Sequence, residues 1–194
     1  REWLWQNPFR PLSEPAFGSP YDEWDMSGFD ECLPTIAECK YPFAPWSGTA
    51  LPDHGEVWAT PCDYEVGEDG TLRLEVLGRT LPYKFTKRIA VSGNSLLQEY
   101  GIENLSREPL HFAWSAHPIL RAEPGMKIEA PDVKTVRVDE SVDGSLGMPD
   151  TEHPWPVAST TDGDKWDLSL VPESGVQRAA KVYSQPLEPG KQTS

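Results

Sequence analysis

Two histidines stand in settings that suit side-chain chemistry. His54 lies in Pro52-Asp53-His54-Gly55-Glu56-Val57-Trp58, a His-Gly pair inside a proline-bracketed loop. His117 lies in Ala116-His117-Pro118-Ile119-Leu120-Arg121, just ahead of Glu123-Pro124-Gly125. An imidazole with a pKa of about 6.5 gives or takes a proton at neutral pH, so general acid–base work is the chemistry these settings favour. A lone histidine is more often structural, and His153 in Glu152-His153-Pro154 reads as ordinary loop. His111 reads as a strand residue, on the face of His117 if alternation holds over six residues.

The cysteines offer a second chemistry. With His54 they form the series Cys32-x6-Cys39-x14-His54-x7-Cys62, formally a zinc ligand set. Zinc knuckles use tighter pairs, because one turn must aim both thiolates at the metal. Buried thiols are therefore the expectation, with no metal site and no cofactor. Three cysteines are an odd number, which argues against a full disulfide framework and points to a reducing, cytoplasmic compartment.

The elements that must position these residues fall into two textures. Residues 1–70 are loop-rich: prolines 8, 11, 15, 20, 34, 42, 45, 52 and 61 exclude long helices and central strands. Yet the stretch is studded with tryptophan, which linkers are not, so it reads as aromatic loops laid over a scaffold. Residues 71–194 are sheet-rich. Leu72, Leu74 and Val76 alternate with Arg73 and Glu75, the period of a half-buried strand. Strands are expected over 71–78, 82–92, 95–105 and 110–120, with a turn at Ser92-Gly93-Asn94 and a polar turn from Asn104 to Glu108. That is an antiparallel meander, and with no helical period it predicts an all-β sandwich. Shorter strands are expected at 127–130, 133–138, 166–171 and 180–184, with Asp143 to Asp164 as loop. We expect one domain over 1–194, with unpaired sheet edges that further chain or a partner would cover.

Composition narrows the partners. The 17 basic and 31 acidic residues leave a formal charge of −14, which repels phosphate backbones and anionic lipids, so neither nucleic acid nor membrane is expected. No apolar run approaches the ~20 residues of a membrane-spanning helix, and no signal-peptide pattern opens the chain. Eight tryptophans allow some to present flat apolar faces to a pyranose while the others fill the core.

Read in order, several segments resemble the aldose 1-epimerase (galactose mutarotase-like) family. Arg1-Glu2-Trp3-Leu4-Trp5 is similar to the end of the family's N-terminal hairpin, and Ser27-Gly28-Phe29-Asp30-Glu31-Cys32-Leu33-Pro34 to its Gly-x-x-x-x-Phe-Pro loop. Asp53-His54-Gly55-Glu56-Val57-Trp58 resembles its His-Gly-Phe motif. The run from Glu99-Tyr100-Gly101-Ile102-Glu103-Asn104 through Glu108-Pro109-Leu110 to His117-Pro118-Ile119-Leu120-Arg121 resembles its strand, turn and His-Pro segment. The ordered set covers residues 1 to about 130 and implies a twisted antiparallel supersandwich, incomplete at both ends, binding a sugar on one sheet. It implies that His117 protonates the ring oxygen of a free monosaccharide and that His54 holds ring oxygens. Asp30, Lys40, Trp58, Trp114 and Arg121 are the substrate-binding candidates on this view. Two departures stand out: Glu38-Cys39-Lys40 replaces the family's arginine after the Pro loop, and the family's base Glu would fall beyond Ser194. Asp30 or Asp167 would then be the acidic partner.

The resemblance implies a cofactor-free isomerase, and acid–base groups worth about 10²–10⁴-fold each are an adequate mechanism for it. The alternative is a non-catalytic carbohydrate-binding module, or an accessory domain of a polysaccharide-active enzyme, on the same scaffold. The acidic balance disfavours sugar phosphates, although Lys84, Lys87 and Arg88 would make a local basic patch.

Overall fold

The computed structural model describes residues 2–188. The chain divides into two compact units, Arg1–Arg121 and Ala122–Ser194, a division at Arg121 that the single-domain reading of the sequence does not draw. Both units are all-β with antiparallel ladders between their strands, and two 3₁₀ turns, at Tyr21–Glu23 and Val57–Ala59, are the only helical elements among the described residues. No helix among these residues is long and apolar enough to cross a membrane.

The first unit contains β1 (Phe29–Cys32), β2 (Cys39–Lys40), β3 (Ala50–Leu51), β4 (Asp63–Val66), β5 (Leu72–Leu77), β6 (Tyr83–Ser92), β7 (Ser95–Asn104) and β8 (Ser115–Pro118). Its main sheet has the order β4-β5-β6-β7, and a separate ladder pairs β1 with β8. Alternation gives the sheet two unlike faces. Val76, Tyr83, Phe85 and Ile102 share one face in register and pack with Leu33, Tyr41, Leu51, Val57 and Leu81 as the core. Truncating a residue such as Phe85 in such a core costs about 3–5 kcal/mol.

β1 lies over that inner face and contributes to it with alternate residues. Glu31 points to the sheet, where it forms a buried ion pair with Lys87 and accepts a hydrogen bond from the Tyr100 hydroxyl. The Lys87 ammonium also sits 4.8 Å from the Phe29 ring. Burial, with the Glu31 charge beside it, holds the Tyr100 hydroxyl far above its ordinary pKa. Asp30 and Cys32, one step out of phase, face the other way.

The strands expected at 71–78, 82–92 and 95–105 form as a meander. The strand expected over 110–120 does not join them: only Ser115–Pro118 is extended, and it pairs with β1. The reason is where its backbone finds partners. Asn104 closes a turn onto the Glu108 carbonyl, His111 N–H donates to the Tyr41 hydroxyl, and Ala113 N–H donates to the Pro34 carbonyl. These bonds carry the chain off the sheet, and the His111 ring packs tilted against Phe43, centroids 4.1 Å apart, instead of lying in a strand. The place of fourth strand goes to β4, inside the stretch read as loop.

The second unit contains β9 (Thr135–Ser141), β10 (Glu152–Pro154), β11 (Val157–Ser159), β12 (Lys165–Asp167) and β13 (Ala180–Ser184), as a β10-β9-β13 sheet and a β11-β12 ladder. Its core is Val138, Leu146 and Ala158, flanked by Trp166, Leu168 and Val182. Two of its strands, β10 and β11, fall in the segment expected to be loop. His153 is accordingly buried on β10, its Nε2 2.9 Å from the Leu146 carbonyl. The strand expected at 127–130 is reduced to a bridge between Lys127 and Leu170.

Candidate functional site

The His54 loop is clamped by its own backbone. His54 N–H donates to the Ile36 carbonyl at 2.9 Å, and Glu56 N–H to the Leu33 carbonyl at 2.7 Å. His54 and Gly55 both take left-handed backbone, with φ of 57° and 71°. For a histidine that conformation is uncommon and strained. At Gly55 it is paired with contact so close that a Cβ would stand 2.2 Å from the Leu33 carbonyl oxygen, so only glycine fits. Trp58 closes the loop, its indole N–H shared between the carbonyls of Gly55 and Asp53 at 3.2 and 3.3 Å.

Glu56 fastens this loop to the main sheet. It is fully buried, and its carboxylate accepts from the backbone N–H groups of Arg79 and Thr80, each at 3.1 Å, and from the Tyr83 hydroxyl at 2.8 Å. Its acceptor capacity is thereby used, which is what permits a carboxylate in a core.

The β1–β8 register supplies the rest. Asp30 stands opposite His117 and Cys32 opposite Ser115, so these four side chains share the face turned away from the sheet. The His54 and His117 rings meet there with centroids 5.1 Å apart. Tyr21 joins them: it stacks on His54 at 4.2 Å and meets His117 and Trp58 edge-on at 5.3 and 5.1 Å. Its hydroxyl donates to Asp30 at 2.8 Å. Asp53 Oδ2 lies 2.9 Å from His54 Nδ1, an ion-pair distance without hydrogen-bond alignment. Cys32 is buried at the same place, and one donor atom from each of Cys32, His54 and His117 lies within 4.8 Å of the others.

Burial dominates the electrostatics. It raises the Asp30 pKa above the ordinary carboxylate range, opposed by the Tyr21 hydrogen bond and reinforced by the charges of Glu31 and Asp25. Burial, then the Asp30 charge, holds the Tyr21 hydroxyl protonated at any physiological pH.

Comparison with known proteins returned no family model, no curated protein and no solved structure that matches.

Of the residues singled out in the sequence, His54, His117, Asp30 and Trp58 stand in one cluster. The others stand elsewhere. Lys40 is exposed on β2, paired with Ala50. Trp114 packs on Tyr100 at 4.9 Å. Arg121 lines a shallow pocket with Glu2, Leu4, Trp5, Gln6 and Pro8. Asp167, on β12 of the second unit, accepts from Ser169. Sequence reasoning missed Tyr21, and it named Cys32 only within the zinc series of thiols expected to be buried, of which Cys32 is buried but Cys39 and Cys62 are exposed. The alternation of Asp30 with Cys32 in a strand would have signalled the cysteine; nothing local signals the tyrosine.

The cluster and the spacious cavities do not coincide. A cavity of about 100 Å³ shares Tyr21, Asp30 and Trp58 with the cluster. A groove of about 670 Å³ lies on the main sheet, lined by Arg73, Glu75, Thr86, Arg88, Glu99, Tyr64 and others, and contains neither histidine. Chemistry weighs more than volume in choosing between them, because the groove's charges are exposed pairs such as Arg88–Glu99.

Proposed function

We propose that the first unit carries an aldose 1-epimerase-like acid–base site, interconverting the anomers of a free monosaccharide without a cofactor. The observation that carries this reading is the meeting of His54 and His117, from segments far apart in the chain, around Tyr21 and Asp30. Core packing alone gives little reason to assemble two histidines, a tyrosine and a carboxylate in one place.

In the proposed reaction His117 donates a proton to the ring oxygen of the pyranose. The anomeric hydroxyl gives up its proton to a carboxylate, the C1–ring-oxygen bond breaks, and an open-chain aldehyde results. Rotation about C1–C2 and reversal of the proton transfers close the other anomer. His54, with Asp53 beside its Nδ1, holds ring oxygens. Asp30 is the carboxylate nearest this chemistry by register, and its raised pKa suits a group that must take and return a proton. Trp58 and Tyr21 supply the apolar surface against which a sugar's C–H face packs.

The test is His117→Gln in the full chain, following mutarotation of several aldoses by polarimetry and sugar binding by calorimetry. Loss of a general acid lowers turnover by about 10²-fold or more while binding changes little. A fall of less than about threefold against that expectation rejects the acid role. A second reading, a sugar-binding module, draws on the separation of the sheet groove from the histidines. It requires binding in the groove and no rate enhancement.

A further inference from the structure

We propose that Cys32, His54 and His117 form a three-ligand site for a zinc-class divalent ion, and that occupying it switches off the acid–base pair. The second half rests on the function proposed above; the first does not. The cysteine series seen in the sequence is not the ligand set. Cys39 and Cys62 are exposed, and of that series only Cys32 and His54 come together, with His117 completing the group.

Five observations carry the site. A thiolate and two imidazoles are the donor set of borderline-soft ions, and zinc sites with three protein ligands keep a fourth position open. A tetrahedral ion at about 2.3 Å from sulfur and about 2.0–2.1 Å from nitrogen holds its donors about 3.3–3.6 Å apart. The donors here lie within 4.8 Å, so closure needs about 1 Å of movement, within the reach of small side-chain rotations. His54 is held in left-handed backbone by its bond to Ile36 and by the Gly55–Leu33 contact, with a ring nitrogen within 4.8 Å of the Cys32 sulfur. Asp53 Oδ2, 2.9 Å from His54 Nδ1, is the carboxylate within reach to pair with that nitrogen when Nε2 ligates the ion. The carboxylates of Asp25, Asp30 and Asp53 around the cluster add attraction for a cation.

The inhibition follows from electron pairs. A nitrogen that gives its lone pair to a metal cannot carry the proton that a general acid must donate. Activity should therefore fall as the site fills and return with a chelator. Because the ligands bind in their deprotonated forms, affinity falls as pH is lowered.

The test uses Co²⁺ as a spectroscopic probe of the full chain with Cys39→Ser and Cys62→Ser, which removes the two exposed thiols. One equivalent of Co²⁺ should give thiolate-to-cobalt absorption and the visible bands of a tetrahedral ion, both displaced by Zn²⁺. Cys32→Ser should abolish the thiolate band, and Asp53→Ala should weaken binding by about 10–100-fold. Absence of the band, or its survival in Cys32→Ser, overturns the site. Chelator-treated protein assayed by polarimetry separates the two proposals. Mutarotation that one equivalent of Zn²⁺ abolishes supports both, and mutarotation that zinc leaves unchanged or enhances overturns the inhibition. Co²⁺ binding with no mutarotation at all leaves the metal site standing and removes the enzyme reading. A His54→Gln variant, checked for folding by thermal denaturation, should lose the cobalt spectrum with its β-sheet signature intact.

Discussion

The histidine cluster and the sheet groove, both in the first unit, are built by opposite means. The groove is regular β-ladder: Arg73, Glu75, Thr86, Arg88, Glu99 and Gly101 share one face because opposite residues in an antiparallel register must. It needs no special backbone, and the missing side chain of Gly101 lies among its walls. The cluster has almost no ladder behind it. Its rings are placed by left-handed backbone at His54 and Gly55, a buried carboxylate at Glu56 and a short β1–β8 pairing. Capacity is therefore the product of the sheet, and chemistry the product of irregular loops that the sheet holds rigid.

The contrast is most easily broken at Glu56, where the two regions are joined. Glu56→Ala strands the Arg79 and Thr80 N–H groups and the Tyr83 hydroxyl inside the core. At about 1–3 kcal/mol for each group left without an acceptor, destabilisation of about 3 kcal/mol or more is expected in urea denaturation. Glu56→Gln retains an acceptor oxygen and should lose clearly less. If Glu56→Ala unfolds like the wild type, the loop is not anchored as described and the cluster is not rigid.

The groove should respond in the opposite way. Arg88→Ala removes an exposed ion pair with Glu99 and should change stability by no more than about 1 kcal/mol. Combined with Tyr64→Ala it should leave mutarotation and monosaccharide binding unaltered, as calorimetry and polarimetry can check. A fall of about tenfold in sugar affinity, or about 1.4 kcal/mol, would move the binding surface onto the sheet and favour the module.

How much of this was readable in the sequence follows the same division. β5, β6 and β7 were legible because Leu72, Leu74 and Val76 alternate and Ser92-Gly93-Asn94 marks the hairpin. The path after Asn104 was not, because the partners that capture it, Tyr41 and the Pro34 carbonyl, are some seventy residues upstream. His54 and His117 were noticed from their neighbours in sequence. Tyr21 was invisible, since its place between them depends on the tertiary approach of the His54 loop and β8. Residue type and motif position mark Trp114, Lys40 and Arg121, but their directions in space are not encoded locally, and they stand apart from the rings.

Asp30 separates site from scaffold most directly, because the expected effect on stability is small and the expected effect on turnover is not. Its pKa is raised mainly by burial, so the fold prefers its protonated form. A carboxyl with a folded pKa above its unfolded value contributes stability that is present in acid and lost as pH rises through the folded pKa. Ionising Asp30 is therefore a cost to the fold, increased by Glu31 and Asp25. Asp30→Asn removes that charge and keeps an oxygen for the Tyr21 hydroxyl. The variant should melt above the wild type at neutral pH, and the gap should close on acidification towards the ordinary carboxylate range. If Asp30 takes the anomeric proton, the same variant should lose mutarotation by about 10²-fold or more. Higher stability with lower turnover is the signature of a group kept for chemistry. A variant that melts lower at neutral pH would show instead that ionised Asp30 supports the fold, and would remove it from the proposed mechanism.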